Sequence, residues 1–234
     1  QGAYKVTQGL LDELHAKLAP GDRVVDGANG HYRDAMANAA RFEAAGIGFV
    51  DAGVSGGVWG LENGYALMLG GSAEDVAALA RVFGALAPKP GQWLHCGPAG
   101  AGHFVKMIHN GIEYGLMQAY AEGFALLREH PDFDLDLAAI AGNWLQGSVV
   151  RSWLLELARD ALAGDPGLAG VAPVVADSGE GRWAAREAIE RGVPAPGITT
   201  ALMQRLASQG RDEFAARVLA TLRNRFGGHA IPRE

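Results

Sequence analysis

Between Val6 and about Gly97 the hydrophobic positions alternate between two periods. Leu10, Leu11, Leu14 and Leu18 recur at helical spacing over residues 7–18, and Pro20-Gly21 ends that run. Residues 23–25 read as a short buried strand, followed by a helix over 32–45 that stops at Gly46. Residues 47–54, 65–69 and 93–96 supply three more apolar, strand-like runs. Ser72 and Asp75, spaced as a capping box, open a helix that continues to Leu86. Strands separated by helical stretches predict a doubly wound α/β sheet.

Past Gly102 the alternation ends. Phe104, Met107, Ile108, Ile112, Leu116, Met117, Tyr120 and Phe124 recur every three or four residues, which predicts one long helix. Further helical patterns cover residues 135–145, 150–162, 182–191, 199–208 and 213–225, with Pro194 and Pro196 in a break between two of them. An α/β part before residues 97–102 and an all-α part after them is therefore expected. The run Gly97-Pro98-Ala99-Gly100-Ala101-Gly102 lacks the spacing of a pyrophosphate-binding turn. It reads as a junction that lets the long helix begin close to the sheet.

Composition narrows the class. The 234 residues include 34 glycines, about twice the usual share of 7%, without the period of a fibrous repeat. Twenty basic against 26 acidic side chains leave a net charge of −6, which argues against a nucleic-acid partner. One cysteine, Cys96, excludes a disulfide scaffold or a cysteine-rich metal site and suits a reducing compartment. No apolar run approaches membrane-spanning length. A cytoplasmic globular protein without a metal is expected.

Candidate chemistry gathers on the long helix. Lys106, His109, Asn110, Glu113 and Tyr114 fall within an arc of about 140° at 100° per residue. Such a polar face is either solvated or lines a cleft. In a cleft, a lysine can act as base and a glutamate two turns on can return a proton at another atom. Two turns at predicted strand ends, around Asn29 and around Ser55-Gly56-Gly57, could bond hydroxyl or carboxylate groups, or could be ordinary turns. Arg223, Arg225 and His229 bracket a glycine pair near the C-terminus, where basic groups complement a helix dipole or reach towards another subunit.

Four runs appear in order: Asp26-Gly-Ala-Asn-Gly-His-Tyr-Arg-Asp34, Gly53-Val-Ser-Gly-Gly-Val-Trp-Gly-Leu-Glu62, Gly100-Ala-Gly-His-Phe-Val-Lys-Met-Ile-His-Asn-Gly-Ile-Glu-Tyr-Gly115 and Arg223-Asn-Arg-Phe-Gly-Gly-His229. Together they resemble decarboxylating 6-phosphogluconate dehydrogenase, particularly its short bacterial form. The resemblance implies a partial Rossmann-like domain over residues 1–99 and an all-helical, dimerising substrate domain over 100–234. It implies oxidation of 6-phosphogluconate by NADP or NAD, loss of CO2 and release of ribulose 5-phosphate in the pentose phosphate pathway. Lys106 matches the general base and Glu113 the acid. Asn29, Ser55, Gly56, Gly57, His109 and Asn110 match substrate-holding positions, with Asn29 also near the nicotinamide. Tyr114, Arg205, Arg223 and His229 match the phosphate end, the last two from a neighbouring subunit. The family's Asn-Ser turn is Asn29-Gly30 here. Ser178-Gly179-Glu180-Gly181-Arg182 replaces a Lys-Gly-Thr-Gly-Lys run of the longer enzymes, and Glu180 would repel a phosphate that it faced. The glycine-rich cofactor turn is expected ahead of the point where this sequence begins. A dehydrogenase of other β-hydroxy acids, and a dimerising module that binds sugar phosphate without turnover, are the alternatives.

Overall fold

The structure, a computed structural model, describes residues 2–227 and 230. It divides into two compact units, one reaching Asn110 and one starting at Gly111.

In the first unit, helix α1 (Gly2–Lys17) precedes strand β1 (Arg23–Asp26), helix α2 (Tyr32–Ala44) and strand β2 (Gly48–Ser55). A 3-10 turn at Gly57–Trp59 and a one-turn helix α3 (Gly60–Asn63) lead to β3 (Ala66–Gly70). Helices α4 (Ala73–Ala78) and α5 (Ala80–Leu86) then lead to β4 (Trp93–Gly97). The strands lie in the order β1-β2-β3-β4. The pairs β1–β2 and β3–β4 are parallel, whereas β2–β3 is antiparallel. The expected doubly wound sheet is thus a mixed one. The cause is length: parallel neighbours need a crossover of a dozen or more residues, and the ten between Ser55 and Ala66 turn the chain straight back.

Strand β2 is buried on both faces because it lies inside the sheet. Val50 and Ala52 join Leu67, Leu69, Val76 and Phe83 on the side covered by α4 and α5. Phe49 packs with Leu11, Phe42 and Ile47 under α1 and α2. Three local expectations need correction. Leu10 is 57% exposed, since Leu11 is the residue that α1 turns into the core. Val25 is also exposed, because β1 is an edge strand and alternates rather than being buried on both faces. The helix opened by Ser72 breaks at Leu79 into α4 and α5. The Ser72 cap itself forms, its Oγ accepting the Asp75 N–H at 3.0 Å.

Helix α6 (Ala101–Arg128) runs unbroken through the unit boundary. Its start is held by a group in the sheet. Asp51 of β2, fully buried, accepts the N–H of Gly100 at 2.6 Å and that of His103 at 2.8 Å. A carboxylate there satisfies orphan helix donors and faces the positive end of the helix dipole. Helix and sheet approach closely at bare backbone: a β-carbon on Gly102 would come within 2.4 Å of the Met68 carbonyl oxygen, and one on Gly53 within 2.5 Å of Lys106 Cβ.

The second unit is helical throughout its described residues: the rest of α6, then α7 (Leu137–Leu145), α8 (Trp153–Gly164), α9 (Glu180–Arg191), α10 (Pro196–Ala207) and α11 (Glu213–Gly227). Pro196 begins α10, where a missing N–H costs nothing. Tyr114, Ala185, Ala201 and Leu202 form a buried cluster between α6, α9 and α10. Ile112 and Leu116, expected among the helix's apolar positions, remain more than two-fifths exposed.

Candidate active site

In the first unit the structure brings Ser55, Lys106, His109 and Asn110 together. Ser55 ends β2, while the other three lie on α6. Gly56 and Gly57 follow Ser55 with positive φ (139° and 53°), turning the chain sharply off the strand. His109 is the hub: its Nε2 lies 3.3 Å from Ser55 Oγ, and its Nδ1 lies 3.4 Å from Lys106 Nζ and 3.3 Å from Asn110 Oδ1. An ammonium only donates, so a charged Lys106 makes Nδ1 an acceptor and leaves Nε2–H to donate to Ser55. A neutral Lys106 permits the opposite tautomer, with Nδ1–H directed at Asn110. The position of the His109 proton is thereby tied to the charge on Lys106.

The polar arc is not a freely solvated face. Asn110 and Tyr114 are buried, and Lys106, His109 and Glu113 are half-buried. Asn29 sits in the exposed loop between β1 and α2. That loop and the Ser55 turn both leave the carboxyl ends of strands. Gly27 and Gly57 there have open space beside their α-carbons, next to the amide of Asn29 and the hydroxyl of Ser55. Bare backbone at the carboxyl ends of strands is where open α/β sheets take up ligands. Burial pushes the thiol of Cys96 on β4 up and so favours its protonated form.

In the second unit Tyr114 organises a second group. The Arg205 guanidinium carbon lies 3.6 Å from the centre of the Tyr114 ring, a cation–π contact. Arg205 also donates to the Ala176 carbonyl at 3.1 Å. Gly181 lies under the same ring, where an added β-carbon would come within 2.4 Å of it. Tyr114 Oη is 3.4 Å from Ser178 Oγ, and Ser178 in turn bonds the carboxylate of Glu180. Glu180 is buried at the start of α9, while Arg182 pairs with the carboxylate of Asp177. Arg223 is exposed on α11 and forms no ion pair among the described residues. His229 lies outside the described residues.

The profile described as the NAD binding domain of 6-phosphogluconate dehydrogenase matches residues 2–97, and that of the enzyme's C-terminal domain matches residues 102–228. The NAD(+)-dependent, decarboxylating 6-phosphogluconate dehydrogenase of Haloferax volcanii is 43% identical over 233 residues, which is 99% of this chain and 77% of that protein. The chain belongs to the 6-phosphogluconate dehydrogenase family. Among solved structures, the 6-phosphogluconate dehydrogenase of Plasmodium falciparum superposes with a TM-score of 0.81 at 26% identity, covering 97% of this chain. The chain spans half the length of that protein. A 3-hydroxyisobutyrate dehydrogenase from Salmonella typhimurium shares the fold at 24% identity, with a TM-score of 0.73 over 89% of this chain.

Family membership bears out the Rossmann-type fold followed by helices, the short form, and an oxidoreductase using NAD or NADP. Among the described residues no helix is long and apolar enough to cross a membrane. Pattern reading missed Asp51. The available signal was a carboxylate inside an otherwise apolar strand, which has to find hydrogen bonds when buried. It also missed Asp177 and gave Glu180 no partner. Both are now seen bonded to their own loop.

Proposed function

We propose that the protein oxidises 6-phosphogluconate at C3 and decarboxylates the product to ribulose 5-phosphate, the oxidative step of a pentose phosphate route in the cytoplasm. The observation that carries this reading is the bonded set Ser55–His109–Lys106 with Asn110, built on the residues that match the family's motif. Bound NAD or NADP supplies a hydride acceptor. Asn29 and the bare backbone of its loop hold the nicotinamide end, and Ser55, Gly56, Gly57, His109 and Asn110 hold the sugar acid. Lys106 Nζ takes the proton of the C3 hydroxyl as the C3 hydrogen leaves with its electron pair. The Lys106 ammonium then donates to the new C3 carbonyl oxygen, which receives the electrons of the breaking C1–C2 bond as CO2 departs. Glu113 carries the proton that C1 of the resulting enediol requires. The test is incubation of the purified protein with 6-phosphogluconate and each dinucleotide, following reduced cofactor, CO2 and ribulose 5-phosphate. Reduction without CO2 release would instead favour a simple β-hydroxy acid dehydrogenase.

Glu113→Gln separates the protonation from the earlier steps. Overall turnover should fall about 100-fold, and solvent deuterium should no longer enter C1 of added ribulose 5-phosphate. Unchanged exchange at C1 would remove Glu113 from that role.

Tyr114 and Arg205 are assigned to the phosphate end, Arg205 being turned flat against the ring with part of its fork already engaged. Arg223 and His229 are assigned to the same end of a neighbouring subunit's site, which makes the working form a homodimer or a higher homo-oligomer. Support comes from α11, whose Phe214, Leu219 and Leu222 are more than half exposed beside Arg223. We infer domains at residues 1–99 and 100–234, a reading supported by the gap between the two family matches, although the compact units divide after Asn110. Arg223→Ala should raise KM for 6-phosphogluconate by about 10-fold or more, given what a charged phosphate contact contributes. KM for unphosphorylated gluconate should stay nearly constant; equal losses would make the arginine structural.

A further inference from the structure

One buried nitrogen has no part in the reaction above. His103, one turn before Lys106 on α6, is 2% exposed. Its Nε2 lies 3.2 Å from the backbone carbonyl oxygen of Asp26, and its Nδ1 has no hydrogen-bond partner. A carbonyl only accepts, so the ring proton belongs on Nε2 and Nδ1 presents a lone pair. The chain above the ring is the loop from β1 to α2. Within it the Asp26 carboxylate accepts the Ala28 N–H at 3.0 Å, and the Gly30 N–H donates to the Ala28 carbonyl at 3.0 Å. A β-carbon placed on Gly30 would stand 3.2 Å from both Nδ1 and Cε1 of His103, close enough that the ring has to give by a few tenths of an ångström, and 4.0 Å from Asp26 Oδ2. Gly30 is outside the left-handed region, so its backbone would accept a side chain. A hydroxyl on that β-carbon has the idle nitrogen within reach.

We propose that His103 is a positioning residue for the loop that carries Asn29. Its Nε2–H fixes the Asp26 carbonyl and with it the tight turn up to Gly30, while Nδ1 is an acceptor seat that fits a hydroxyl side chain at position 30. The ring touches no reacting atom. It links the loop to the same helix turn as Lys106, so the first turns of α6 set both the amine and the loop. Only the kinetic consequence rests on the function proposed above; the placement of the loop does not.

The test uses the full chain with three substitutions. His103→Gln keeps an N–H where the ring Nε2 lies, His103→Phe removes both nitrogens at similar volume, and Gly30→Ser offers a hydroxyl to Nδ1. Nitrogen NMR of the histidine rings should find Nε2 protonated in the parent protein, with the Nδ1 signal shifting to a hydrogen-bonded value in Gly30→Ser. Amide exchange at Ala28 and Gly30 should accelerate about tenfold in His103→Phe, return towards the parent rate in His103→Gln, and slow in Gly30→Ser. In turnover, His103→Phe should lower kcat about tenfold through misplacement, and His103→Gln should recover most of it. A ring protonated on Nδ1, loop exchange indifferent to His103→Phe, or a glutamine variant no better than phenylalanine would each overturn the proposal. If His103→Phe fails to fold, the glutamine and serine variants still decide it. A parent protein inactive on 6-phosphogluconate with the predicted NMR and exchange would refute the proposed reaction and leave the role of His103 standing.

Discussion

Replacing Lys106 by alanine should abolish turnover, lowering kcat by about a thousandfold, within the range that a positioned base contributes. The reasoning is local. Nζ is the only amine in the bonded set, and His109 beside it can exchange protons with it but is itself held by Ser55 and Asn110. With the amine gone, His109 loses its Nδ1 donor and has no cationic group to stabilise charge growing on the C3 oxygen. Binding of 6-phosphogluconate should change little, because Ser55, Asn110 and the glycine turn remain. Stopped-flow cofactor reduction and calorimetry read the two quantities separately. Near-normal reduction would show that His109 is the base. A parallel loss of binding would show that Lys106 holds substrate without moving its proton.

Asp51→Ala should cost about 3 kcal/mol of stability out of the 5–15 typical of a domain. Two helix N–H groups lose a charged acceptor in a place that water does not reach. Against this stands the relief of burying one carboxylate fewer. Removing only one partner of a buried pairing is nevertheless unfavourable, because the groups left behind remain unsatisfied. Asp51→Asn keeps one acceptor and should lose about half as much. Urea unfolding followed by circular dichroism measures both. A loss below about 1 kcal/mol for the alanine variant would mean that the desolvation of the carboxylate nearly cancels what its hydrogen bonds contribute.

How much of this could be read from the sequence depends on the distance over which each feature is encoded. Helix α6 is written in a hydrophobic period that persists for more than two dozen residues, and the Ser72 cap in two residues three apart. Both are local, and both form as read. The direction of β3 is encoded in the length of one link, which was readable but overridden by the general alternation of strand and helix. The break at Leu79 has no local marker. Arg205 stacking on Tyr114 joins residues far apart in the chain, so no periodicity reveals it, and the motif alone brought both residues to notice. Asp51 capping α6 is of the same kind, a strand residue serving a helix that begins 50 positions later. The capture of Glu180 by Ser178 was hidden because charge counting treats a carboxylate as free until a neighbour is found for it.

The crossing of β2 by α6 bears on how an amine on four rotatable bonds could be aimed. Gly53 offers no side chain, and the first carbon of the Lys106 stem occupies the space one would fill. The root of that stem is thus seated against the bare backbone of the strand, and the torsions beyond it are what an arriving sugar has to freeze.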